Sequence, residues 1–122
     1  MKDAATLLAL AARYEAAMPW TAQNSPLYHR LREMDVEVAR LLKWNSGQSS
    51  GYGDRYGVPA YNHSLDAGAA LVPQGWYWSL KRYTKAAAVV DVGGVYEGSA
   101  ATPALALTAA CLRAHAAFAG EE

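Results

Sequence analysis

A chain of 122 residues, 52% hydrophobic and 18% charged, is one domain that can build its core without metals or disulfides. Eleven basic and eleven acidic residues cancel, which counts against a protein that lives by neutralising phosphates. The lone Cys111 excludes an intramolecular disulfide, and Asp3 and Glu15 break up the N-terminal apolar run, so neither signal peptide nor membrane span is expected and the cytoplasm is the expected location.

Residues 3–18 predict a helix with Leu7, Leu10, Ala11, Tyr14 and Met18 on one stripe, stopped by Pro19. Ser25-Pro26 is a cap-then-proline start for a second helix to about Lys43. Its expected buried side carries Leu27, Leu31, Met34, Val38, Leu41 and Leu42, with Arg30, Glu33, Glu37 and Arg40 outside. Together, residues 1–44 form an expected helical hairpin. Residues 45–61 then hold four glycines, three serines and a proline, which reads as a long surface loop.

The expected core module spans residues 62–119. Ser64 caps a short helix to Val72, and Pro73 ends it. Gly75–Tyr83 alternates as a half-buried strand, with Trp76, Trp78 and Leu80 opposed to Tyr77, Ser79, Lys81 and Tyr83. Ala87–Val92 is a continuous apolar run, expected to be buried on both faces, and Gly93-Gly94 is a hairpin signal before a short Val95–Glu97 strand. Gly98–Ala101 reads as connector. Thr102-Pro103 starts a last helix to about Phe118 that is apolar nearly all round and therefore buried. The order predicts a single α+β domain: a three-layer α/β/α sandwich with a small antiparallel sheet of two to three strands and helices on both faces.

Several phrases in the chain carry a family resemblance: Pro59-Ala60-Tyr61, Ser64–Pro73, Gly75-Trp76-Tyr77-Trp78, Ala100–Leu107 and the lead-in helix Arg32–Trp44. In order and spacing they resemble the phage ABA sandwich domain of small tailed-phage and prophage proteins. The resemblance covers about two-thirds of the chain. It implies a layered fold and a phage setting, with no activity or catalytic residue to carry over. Residues 3–18 look like an addition to that pattern, and the segment between the two main strands is shorter.

Candidate chemistry is thin. Cys111 and His115 sit four apart on one helix face, a spacing that can seat two zinc ligands, but no second ligand pair accompanies them. The plainer reading is a buried thiol and a histidine near the helix's negative end. No Gly-x-Ser-x-Gly elbow is present, Asp54, His63, Asp66 and Asp91 form no specific acid–base set, and Gly51-Tyr52-Gly53 lacks the strand and lysine of a phosphate loop. No catalytic residue, metal or cofactor is assigned, and the chain leans away from an enzyme.

Two contact surfaces remain. Loop 45–61 offers Tyr52, Asp54, Arg55, Tyr56 and Tyr61, either as a tyrosine-rich contact surface or as plain connector. The far face of the tryptophan strand offers Tyr77, Lys81 and Tyr83 with Arg82 beside them, a set able to stack bases and hold phosphates. The expectation is that the N-terminal helices cover that face and make its tyrosines core. Function is expected to be that of a non-enzymatic phage or prophage accessory protein binding a protein partner or small ligand. Nucleic-acid binding through the sheet is the alternative, and no membrane association is expected.

Overall fold

The computed structural model describes residues 2–19, 22, 25–42, 56–84 and 87–121. Its elements are α1 (Lys2–Ala16), α2 (Pro26–Leu41), α3 (Leu65–Ala69), β1 (Trp78–Tyr83), β2 (Ala88–Val92), β3 (Tyr96–Ala100) and α4 (Pro103–Glu121). Side-chain oxygens set the helix starts. Ser25 accepts from the Tyr28 amide, Ser64 from Ala67 and Thr102 from Leu105, each at 3.2 Å, which satisfies amides that the first turn leaves free.

The three strands pair antiparallel in the order β1-β2-β3. Gly93 and Gly94 both take positive φ, 65° and 74°, to turn β2 into β3, and a side chain at Gly93 would collide with the Trp76 ring. The class, α+β with helices packed on an antiparallel sheet, agrees with the sequence expectation. β3 is longer than predicted. The supposed connector Gly98–Ala100 is strand, because Gly98 lets the β3 backbone lie directly against the α4 backbone at Ala106 and Ala110.

α4 is the centre of the molecule. It packs on β2 and β3, and α1 and α3 cover its other sides, so that Ala104–Leu112 are buried without a break. The alanines keep these contacts close. β2 differs from its expectation: Ala88, Val90 and Val92 are buried, while Val89 and Asp91 on the opposite side are half-buried. Among the described residues no helix lies on that opposite side, so the predicted helical cover over Tyr77 is absent there.

A polar knot lies inside the N-terminal half. Arg32 and Asp35 are fully buried on the same α2 stripe as Leu31, Met34 and Val38. Arg32 Nη1 donates to Asp35 at 2.8 Å and to the Pro59 carbonyl at 2.9 Å, and Nη2 donates to the Val58 carbonyl at 2.6 Å. The other Asp35 lone pairs accept from the Tyr14 hydroxyl at 2.7 Å and from the Asn62 side-chain and backbone amides at 2.5 and 3.2 Å. The knot thus ties α1, α2 and residues 58–62 together. Burial raises the Asp35 carboxyl to about 7 against the opposing pull of Tyr14, Arg32 and Asn62.

Two outcomes follow from the knot. Arg32→Ala leaves the buried Asp35 carboxyl and the Val58 and Pro59 carbonyls without their donor and should cost about 3–5 kcal/mol in urea unfolding. The folded chain holds the Asp35 proton more tightly than the unfolded chain does, so this group's contribution to stability is complete below about pH 4 and lost as pH rises to about 7. Tm of Asp35→Asn, lower at every pH, should lack that component of decline between pH 5 and 7.

Candidate interaction surface

The sheet's two edges are unlike. On β3 the Ser99 amide donates to Glu15 Oε2 at 2.9 Å, and Arg113 Nη1 donates to the Glu97 carbonyl at 2.8 Å and to Glu15 at 2.7 Å, with Arg113 Nη2 also bonded to Glu15. A carboxylate from α1 and a guanidinium from α4 thus occupy two outward backbone groups of that edge, the Ser99 amide and the Glu97 carbonyl. Arg113 holds the Glu15 carboxyl below the usual range, and Glu15 in turn raises Arg113.

β1 is the bare edge. Trp78 is half-buried and every other residue of the strand is exposed, because α4 lies under β2 and β3. Tyr77 and Tyr83 are each 64% exposed and Leu80 43%. The register pairs Trp78 with Val92 and Leu80 with Val90, then slips at a bulge to pair Arg82 with Val89 and Tyr83 with Ala88. Cross-strand partners share a face, so Trp78, Leu80 and Tyr83 belong to the helix side, while Ser79 and Arg82 belong to the open side with Asp91 and Val89. Lys81 also faces the open side, where its Nζ lies 3.2 Å from Glu97.

The bulge corrects the expected face of Tyr77, Lys81 and Tyr83. Strict alternation joined all three, but the extra residue moves Tyr83 to the helix side and brings Arg82 beside Lys81. The expectation that these tyrosines are core is also overturned. Tyr77 lies with its hydroxyl against Gly94 at the hairpin turn, in the open.

The loop candidates divide. Tyr52, Asp54 and Arg55 lie outside the described residues. Tyr61 is 2% exposed and its hydroxyl is pushed up to about 12 by burial, so it is core rather than contact surface. Its carbonyl accepts from the buried Thr108 hydroxyl at 2.9 Å, fastening the segment to α4. Tyr56 is half-buried, its ring 5.5 Å from the Arg32 guanidinium and its hydroxyl oxygen 2.5 Å from His29 Nδ1. It roofs the polar knot.

Cys111 and His115 are otherwise engaged. Cys111 is buried with Sγ 3.9 Å from the Gly68 carbonyl, and burial pushes its thiol up to about 12. His115 Nε2–H donates to the Leu71 carbonyl at 2.7 Å, and its ring meets Phe118 edge-on. Among the described residues no three His, Cys, Asp or Glu side chains come together to hold a metal ion, and no helix is long and apolar enough to cross a membrane.

One further concavity, a groove of about 320 Å³ between α1 and α2, has Leu10 and Met34 among its lining together with Arg13, Arg30, Glu33 and Glu37. Its cations and carboxylates balance, and Arg40 holds the Glu37 carboxyl below its usual range. Sequence reasoning passed over the two charges that matter inside, Arg32 and Asp35. The signal was there: positions 28, 31, 32, 35, 38 and 39 form one helical stripe, so both charges had to point inward. No protein-family model, curated protein or solved structure matches the chain.

Removing the β3 seal tests the contrast between edges. Arg113→Ala should cost about 2 kcal/mol in urea unfolding and speed hydrogen exchange at the Ser99 amide, with exchange on the β1–β2 ladder unchanged.

Proposed function

We propose that this chain is a non-enzymatic interaction protein whose contact surface is β1 and the open face beside it: Tyr77, Leu80, Lys81, Arg82 and Tyr83. One observation carries the reading: two tyrosines and a leucine stand exposed along β1 and the residue before it, which none of the described helices covers. Aromatic side chains with a polar tip give contact area at low entropy cost, which suits a protein partner. The family resemblance supports a phage or prophage accessory role, with the partner supplied by phage or host.

Charge favours protein over nucleic acid. The open face sets Asp91 and Glu97 beside Lys81 and Arg82, and Lys81 is already paired with Glu97. That face has no basic excess with which to hold phosphates.

Affinity capture from a bacterial lysate with three baits tests this. A protein enriched by the wild type should fall about tenfold with Tyr77→Ser/Tyr83→Ser and persist with Arg13→Glu/Arg30→Glu in the α1–α2 groove, with Tm of the first variant close to wild type. The opposite pattern would move the contact surface to the groove.

A further inference from the structure

We infer that the occupant of β1 is an extended segment of a partner protein that adds to the sheet as a fourth strand, with apolar residues on its helix side and a carboxylate on its open side. This rests on the reading of β1 as the contact surface and names what docks there.

The backbone directions come from the ladder. In an antiparallel pair, successive residues turn their amide and carbonyl alternately towards and away from the neighbour. Gly93 N–H donates to the Tyr77 carbonyl and Thr84 N–H to the Ala87 carbonyl, both at 2.8 Å, so Tyr77 and Thr84 are turned towards β2. Counting along the register, Ser79 and Arg82 also turn inward, opposite Asp91 and Val89. Trp78, Leu80 and Tyr83 therefore turn their backbone groups outward. Their side chains are the ones on the helix side, so an added strand would meet open hydrogen-bonding groups and the exposed flank of Leu80 and Tyr83 together.

Among the described residues this edge is left open, while two backbone groups of the other are occupied. The seal on β3 uses two charged side chains from two helices, so strand addition is confined to one side of the sheet.

Chemistry of the segment follows from the side chains. Leu80 and Tyr83 call for apolar residues on the helix side. On the open side Lys81 is paired with Glu97 and Asp91 accepts from the Gly94 amide, whereas Arg82 has no ion-pair partner among the described residues, so an acidic residue directly across from it on the added strand can pair with it. A second copy of this chain fits less well. Two-fold pairing over residues 78–80 sets the bulge of each copy against residues 76–77 of the other, where Tyr77 is turned inward, so the ladder stops after three residues.

The test uses the whole protein, a synthetic peptide alternating valine and glutamate, and its valine–lysine counterpart. With the glutamate peptide, amide exchange at Trp78, Leu80 and Tyr83 should slow, and binding should exceed that of the lysine peptide by about tenfold. Arg82→Glu should reverse that preference. Leu80→Pro removes an outward amide from an edge strand and leaves the β1–β2 ladder intact, so it should abolish binding in a folded protein. If Leu80→Pro does not fold, Arg82→Glu alone decides.

Absence of protection at these amides with millimolar peptide, or an unchanged preference in Arg82→Glu, overturns strand addition. Slowed exchange that instead follows protein concentration without peptide, with a dimer in sedimentation, overturns it in favour of self-pairing. The contact surface itself fails on a different result: capture indifferent to Tyr77→Ser/Tyr83→Ser. Capture that depends on those tyrosines yet survives Leu80→Pro would retain the surface and reject the strand.

Discussion

The buried pair Arg32–Asp35 is the constraint on which the N-terminal half depends. Two charges taken out of water are costly, and their attraction offsets that cost only when the remaining donors and acceptors are met. Here they are met from three directions: a hydroxyl on α1, two carbonyls from residues 58 and 59, and both amides of Asn62. A hydrophobic pair of similar volume would fill the same space, but it would accept many arrangements of α1, α2 and the 58–62 segment. The ionic knot accepts one. Its contribution lies more in fixing that arrangement than in net stability, and it delivers Tyr61 and Thr108 into register on α4.

From α4 outward the molecule is lopsided. Helices crowd β3, where a carboxylate takes the outward Ser99 amide and a guanidinium the outward Glu97 carbonyl. They stop short of β1. Edge strands invite unintended pairing, and exposed cations with a bulge are common ways to discourage it. β1 has both, at Lys81, Arg82 and the register slip. They narrow the range of strands that can dock without closing the edge, so the same features that hinder self-pairing set the selectivity for an acidic segment.

Much of the architecture was legible in the sequence because its signals are local. Ser25-Pro26, Ser64 and Thr102-Pro103 mark helix starts through capping chemistry that needs no distant partner. The all-round apolar pattern of α4 announced a central helix. What escaped needed information from elsewhere in the chain. Gly98 looked like a connector because glycine is rare in strands, and its strand role rests on a helix backbone brought against it from residues 106 and 110. The bulge leaves no mark in the alternation of Trp76–Tyr83, since exposed Lys81 and Arg82 suit either face. Arg32 and Asp35 were hidden by the habit of placing charges outside, although their spacing set them on the apolar stripe.

The contact between Gly98 and the α4 backbone has a thermal consequence. Most seams in a protein interior are made by branched side chains that give up rotamers when they pack, and the resulting entropic penalty grows with temperature. At Gly98, Ala106 and Ala110 there are no rotamers to give up. At that point the strand meets its helix through main chain and methyl groups, so the contact itself costs no side-chain rotamers, and Arg113 adds a hydrogen bond to the Glu97 carbonyl beside it. The same closeness fixes the residue: any side chain at Gly98 would strike the Ala106 carbonyl oxygen and prise β3 from α4.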